Sequence, residues 1–254
     1  ATLMMPDYVA INTTFDASSS PLQAETNPAF VGQLAFWAPF RTAPITYLAA
    51  KGYAGETASA RITRLCAEDA VNLTVEGSGS ALVGVQRAAP LLELLQDAAD
   101  ADGGILYEPR RYLGLAYRTH ASLYGQTIAP ALDYAAGGQV APPLKPIEDW
   151  DAVVNDVTVT RYQGATANLV KATGALNVQE PPNGIGRYAK AYTRVLSTDA
   201  QCRLLAARLR HIGTHDEARY PVVNMDLTAM AEEGLTTLAS DTQRLDIGDR
   251  FTIS

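Results

Sequence analysis

The run Pro90-Leu91-Leu92-Glu93-Leu94-Leu95-Gln96-Asp97-Ala98-Ala99, stopped by Gly103-Gly104 and followed at once by Ile105–Glu108 and Tyr112–Arg118, constrains the fold more than any other stretch of the chain. Proline is tolerated in the first turn of a helix, and glycine supplies the left-handed residue that commonly ends one. The spacing therefore predicts a helix that begins with Pro90 in its first turn and ends at the glycine pair. The two strand-like runs after it, separated by Pro109-Arg110-Arg111, predict a hairpin with a short turn. A second helix precedes them. Thr57 can cap it, and a helix running to about Asp69 would place Ala58, Ile62, Leu65 and Cys66 on one face and Arg61, Arg64 and Glu68 toward water. A strand at Asn72–Glu76 follows. The expectation for this part is a hairpin packed on two helices.

Further along, the texture becomes mostly β. Pro142-Pro143, Pro146 and the acidic run Glu148-Asp149-Trp150-Asp151 read as a linker. Asp156–Arg161 and Ala167–Val170 alternate as two strands around Gln163-Gly164, and Pro181–Gly186 forms a rigid turn cluster. Thr198, with Asp199 in the first turn, can cap a helix that carries Cys202, Leu205, Ala206 and Leu209 on one stripe and stops at Gly213. A strand at Tyr220–Leu227, a short helix around Met230–Leu238 and a strand at Asp249–Ile253 complete the chain. Residues 1–54 are polar and turn-rich, with strand candidates at Tyr8–Asn12 and Phe30–Trp37. The whole reads as an α+β, β-rich fold in three regions, 1–54, 55–120 and 121–254. Strand-like segments stand close to both ends, which leads us to expect a piece of a longer polypeptide.

Composition limits what these elements can do. The 254 residues suffice for a sizeable core, yet 42 of them are alanines, each of which buries little area. A net charge of −7 leaves no broad cationic field, so nucleic acid is not an expected partner. No run of 18 apolar residues is present, so no membrane partner is expected either. Cys66 and Cys202 lie far apart at apolar helix positions and read as small core residues.

Each candidate for chemistry has a plainer reading. His211 and His215 have metal-ligand spacing on a helix, but Gly213 falls between them and no H-E-x-x-H pattern is present. Asp100-Ala101-Asp102-Gly103-Gly104 opens like a calcium loop, yet no bidentate Glu follows at the right distance, and a helix end explains it better. Glu148, Asp149 and Asp151 could pair carboxylates for glycoside hydrolysis, although neighbours in a linker seldom hold that geometry. Gly77-Ser78-Gly79-Ser80 and Asn183-Gly184-Ile185-Gly186-Arg187 lack any phosphate- or dinucleotide-binding frame. Ser59, Ser122 and Ser197 lack a nucleophile elbow. Phe36, Trp37 and Phe40 could stack on sugar rings, or simply fill a core. No catalytic residue, cofactor site or metal site is nominated.

Several segments, in order, carry a resemblance. Gly55-Glu56-Thr57-Ala58-Ser59-Ala60-Arg61-Ile62-Thr63-Arg64-Leu65-Cys66, Asp100–Glu108, Leu113–Arg118, Asn155–Arg161, Glu180–Tyr188, Gly213–Pro221 and Leu245–Arg250 together resemble the minor tail proteins of long-tailed actinobacteriophages. The series covers about residues 55–254. Separately, Phe30–Trp37 followed by Thr42–Leu48 looks like the closing strand and trailing turn of a laminin-G or concanavalin-like sandwich, which would make 1–54 the end of such a module. The resemblance implies a multi-module, tail-hub-like architecture: a helix-hairpin module at 55–120 and a hub or barrel-like module at 121–254. It also implies a non-enzymatic protein of the virion tail tip. Its partners would be distal tail or tube, tape-measure and fibre proteins and further copies of itself, commonly as a trimer. A host cell-surface glycan would be a further partner, with Trp37 and Phe36 as contacts. A glycan-binding adhesin, or a cell-wall-active glycan hydrolase component, is the alternative.

Overall fold

Thr57 starts a helix as its side chain allows, its hydroxyl accepting a hydrogen bond from the Ala60 amide at 3.2 Å. The computed structural model describes residues 52–134, 139–147, 150–215, 217 and 219–254; the strands expected at Tyr8–Asn12 and Phe30–Trp37 lie outside these. Helix α1 (Ala58–Glu68) buries Ala58, Ile62, Leu65 and Cys66, as the spacing predicts. Arg61 departs from expectation: it is not on the water face but 2% exposed. Its Nε donates to Glu56 Oε2 at 3.1 Å and its Nη2 to the carbonyls of Gly84 and Tyr53. Its charge suggests the water face, although position 61 lies on the same helical stripe as 58, 62 and 65, and a guanidinium can be buried when its N–H groups find acceptors. Arg64, nearly one turn on, grips the same carboxylate and stacks 3.8 Å over the Tyr53 ring.

Next come β1 (Leu73–Glu76), α2 (Leu91–Asp102), β2 (Ile105–Tyr107) and β3 (Leu115–Arg118). Pro90 is the N-cap of α2 rather than part of its first turn, and Gly103 ends the helix at φ 76°, as predicted. β2 and β3 form the expected antiparallel hairpin, paired from Ile105↔Arg118 to Tyr107↔Ala116, but the connection spans Glu108–Gly114 instead of a short turn. β1 runs parallel along the other side of β3, giving the order β1-β3-β2.

After α3 (His120–Gly125), β4 (Ala131–Leu132) and β5 (Val140–Ala141) come the antiparallel pair β6 (Asp156–Arg161) and β7 (Thr166–Val170). A further strand, β8 (Ala189–Arg194), which the sequence did not disclose, lies parallel to β6 on its free side. Helix α4 (Ala200–Gly213) covers β6 and β7 with Cys202, Leu205 and Ala206 buried. Thr198 does not cap it: its amide donates to Gln201 Oε1, and Asp199 occupies the cap position while its carboxylate binds Arg161. The strand expected at Tyr220–Leu227 shrinks to β9 (Asn224–Met225). The Asp226 carboxylate accepts from the Thr228 and Ala229 amides and starts helix α5 (Leu227–Glu232). Gly234, at φ 81°, separates α5 from α6 (Thr236–Arg244), so the single helix expected there is two. β10 (Thr252–Ile253) closes the chain, parallel to β4.

The result is a mixed α+β fold with several small sheets, none of which closes into a barrel among the described residues. Residues from Gly52 onward form one compact unit. Its main core joins Ile62, Leu65, Leu95 and Ala98 from α1 and α2 to Val157, Val159, Leu196 and Leu205. A smaller core gathers Leu132, Val140 and Met230. Ala58, Ala98, Ala99 and Ala206 are wholly buried and bring their helices close to their neighbours. Asn155, also fully buried, bonds the Gly186 and Leu176 carbonyls and the Tyr188 amide, and so fastens the Pro181–Gly186 cluster to the start of β6.

Replacing Arg61 by Ala takes one of its two arginine partners from Glu56 and the guanidinium donor from the Gly84 and Tyr53 carbonyls. Urea unfolding should show a loss of about 3–5 kcal/mol, as for other broken buried pairs, and a clearly smaller loss for Arg64→Ala. Equal losses for the two would contradict this account.

Candidate functional site

Glu76 and Arg118 end β1 and β3 at the same register level, so they project from the same face of the sheet. Glu76 Oε2 lies 2.5 Å from Arg118 Nη2. On the other side Arg118 Nη1 reaches Asp249 Oδ1 at 2.8 Å, in the segment that precedes β10. Tyr107, from β2, donates its phenol to Glu76 Oε1 at 3.2 Å. β1, β3 and the C-terminal segment thus meet on one guanidinium, itself only 7% exposed, with Tyr107 of β2 bonded to the Glu76 side of the clamp. Burial alone would lower the Arg118 pKa, but its bonds to Asp249 and Glu76 raise it. Burial, reinforced by the Glu76 charge, pushes the Tyr107 phenol up to about 12.

Above this clamp opens a cleft of about 530 Å³ lined by Gly77, Ser78, Ser122, Gln126 and Thr127. Gly77, at φ 88°, is required there, because a Cβ would stand 2.5 Å from both Thr119 Oγ1 and Ser122 Cβ. Gln126 bridges to the C-terminal segment, donating to the Gly248 carbonyl at 2.8 Å and accepting from the Arg250 amide at 3.1 Å.

A second buried polar joint lies nearby. Asp102 accepts from the Ala81 amide at 2.6 Å, from the Tyr117 hydroxyl at 2.6 Å and from the His120 amide at 2.9 Å. Burial and the bond to Asp102 raise the Tyr117 pKa far above its usual value. The His120 pKa is lowered by burial and by the Arg208 charge, which outweigh Asp102. Its ring packs edge-on against Tyr124 at 5.0 Å.

These arrangements position segments, and their charged groups are already matched to one another. Ser122, on the cleft wall, donates its hydroxyl to the Thr119 carbonyl at 2.7 Å. Asp100 and Asp102, read as the opening of a calcium loop, serve different neighbours: Asp100 pairs with Arg194 at 3.2 Å, while Asp102 binds the groups named above. Ser59 Oγ meets Ser80 Oγ at 2.8 Å, a contact between the first turn of α1 and the Gly77–Ser80 loop. Helix α4 ends at Gly213, as the sequence predicts, so His211 lies in its last turn and His215 beyond it; their ring centroids are 5.8 Å apart, and His215 Nε2 lies 3.0 Å from Glu217. No group of three potential ligands is placed to hold a metal among the described residues. Trp37, Phe36, Phe40, Glu148 and Asp149 lie outside the described residues, and Asp151 sits exposed in a single 3₁₀ turn. Glu76, Arg118 and Asp249 were not among the sequence candidates. Nothing local links them, since strand pairing and the return of the C-terminal segment bring them together.

No family model and no curated protein matches the chain. Among solved structures it is similar in part to the 43 kDa tail protein of prophage MuSo2 from Shewanella oneidensis. That likeness has 17% identity and a TM-score of 0.37, covering 62% of this chain and 44% of that one. It is also similar in part to a tail protein from Neisseria meningitidis MC58, with 12% identity, a TM-score of 0.39 and coverage of 61% and 45%. The chain spans less than half the length of either.

The Tyr107 phenol has a checkable signature. Its folded pKa lies above the free value of about 10, so the stability it contributes is complete below about pH 10 and lost as pH rises toward 12. Tyr107→Phe should flatten that fall in stability and remove one phenol titrating near 12 from the ultraviolet titration; removal of one titrating near 10 would contradict it. Arg118→Met should detach the C-terminal segment, seen as proteolysis within 246–254 while α1 and α2 stay protected.

Proposed function

We propose that the chain is a structural protein of a bacteriophage tail tip, a minor tail or hub protein that joins the tail tube to host-contacting parts. In this reading it acts in host attachment and genome delivery, and without catalysis. The observation that carries the reading is the ordered series of segments between Gly55 and Arg250 that resembles the minor tail proteins of long-tailed actinobacteriophages. The places those segments occupy in the fold support it. Gly55–Cys66 carries the Thr57 cap and buried Arg61, and Asp100–Glu108 carries Asp102 and the Gly103 stop. Asn155–Arg161 opens on the buried Asn155, Glu180–Tyr188 is the loop that this asparagine fastens, and Leu245–Arg250 holds the Asp249 end of the clamp. A likeness concentrated at joints is what a shared arrangement of elements produces.

Within this reading the partners are distal tail or tube, tape-measure and fibre proteins, together with further copies of the chain in a ring, as a trimer. Such work needs surfaces rather than a reaction centre. β8, at the side of its sheet, offers one, with Ala189, Lys190, Ala191 and Thr193 exposed. Residues 1–54 are then the closing strands of a laminin-G or concanavalin-like module whose Phe36 and Trp37 contact a host glycan, and 55–120 and 121–254 are the hub parts.

Virions produced from the genome that encodes this chain should contain it in low copy number, and antibody raised against it should label the tail tip in electron micrographs. Particles free of the chain, or label confined to the capsid, would overturn the assignment.

A further inference from the structure

The β2–β3 connection, Glu108–Gly114, turns Leu113 fully to solvent: at 97% it is the most exposed large apolar side chain among the described residues. It does not stand on a loose tip. The Leu113 carbonyl accepts from Asn72 Nδ2 at 3.3 Å, and the Leu115 amide donates to the Asn72 carbonyl at 2.8 Å. A Cβ on Gly114 would lie 2.7 Å from that same carbonyl, so the backbone is closed tightly onto Asn72. On the other flank Arg111 Nη2 donates to the Arg244 carbonyl at 2.9 Å, and the Arg110 amide bonds Asp246. The fold therefore holds an apolar knob rigidly outward.

The knob forms one side of a cleft of about 500 Å³ that is also lined by Val71, Tyr112 and Leu115, with Ala70, Asn72 and Glu108. Charge is distributed in step with shape. The exposed Arg110 stands on the knob loop and the exposed Glu108 on the cleft. Knob, cleft and charges of both signs, Glu108 against Arg110 and Arg111, side by side on one surface, complement the same surface turned about a two-fold axis, where residue i meets j and j meets i. A rigid loop also loses little freedom when it docks.

We propose that a second copy of this chain docks here, each Leu113 entering the cleft of the other copy and each Arg110 meeting the Glu108 opposite. The pairing is read from this surface alone and holds whether or not the chain belongs to a tail. The patch is small, so the contact is weak and reversible, in the class that buries less than about 1,200 Å².

Sedimentation equilibrium of the 254-residue chain, from micromolar to near-millimolar concentration, should show a reversible dimer. Leu113→Asp should weaken it by about tenfold or more, the loss expected for an unburied leucine, with an unchanged melting temperature because the side chain contacts only solvent in the single copy. Arg110→Glu should also weaken it, and adding Glu108→Arg to that variant should restore it, since the two charges are then exchanged. A chain that stays monomeric throughout, a dimer unmoved by Leu113→Asp, or a charge exchange that restores nothing would each overturn the proposal.

Discussion

A buried guanidinium must be answered by acceptors, and that requirement organises this molecule. Arg118 sits, largely buried, at the end of the central strand of its sheet and at the floor of the cleft, and the two carboxylates that answer it come from β1 and from the C-terminal segment. The two carboxylates take the two Nη groups, while Nε stays buried without a partner, so losing either carboxylate would leave a second nitrogen of the guanidinium unpaired. The chain is therefore obliged to bring Asp249 back across the molecule, and the hydrogen bonds of Gln126 and the placement of β10 beside β4 accompany that return.

The same logic recurs at Arg61, Asp102 and Asn155, and it matches the composition. A core rich in alanine gains modest transfer free energy per residue, because each side chain removes little area from water. What alanine permits is close approach, and close approach buries backbone: the Gly84 and Tyr53 carbonyls beside α1, the Ala81 amide beside α2 and the Gly186 carbonyl beside β6. Those groups need partners once they leave water. Arg61, Asp102 and Asn155 are the partners. The small side chains and the buried polar ones are thus two parts of one packing solution.

How far the sequence foretold this depends on whether a signal is local. Helices α1 and α2 were legible because each writes a 3.6-residue apolar stripe and an end signal within a dozen or so residues, the Thr57 cap for α1 and Pro90 with the Gly103 stop for α2. The β2–β3 and β6–β7 hairpins were legible for a similar reason. β8 was not, since Ala189-Lys190-Ala191-Tyr192-Thr193-Arg194 is half exposed and carries a single large apolar residue, Tyr192. β4, β5, β9 and β10 have two residues each and exist only through their partners. Arg61 misled because an arginine on an apolar stripe counts as a flaw in the pattern, whereas its role depends on carbonyls far along the chain. The clamp was least legible of all: Glu76, Arg118 and Asp249 become neighbours only after two strands pair in parallel and the chain end returns.

This distribution of strong joints and open surfaces bears on what the fold is suited to. The polar joints fasten segments distant in sequence, so force applied at one loop is carried into the core through several hydrogen-bonded anchors instead of one flexible hinge. The Glu108–Gly114 connection shows the consequence, with Asn72 holding one flank and the Arg244 carbonyl and Asp246 the other. A loop held in that way can present an apolar side chain to a neighbour with little ordering left to do on contact.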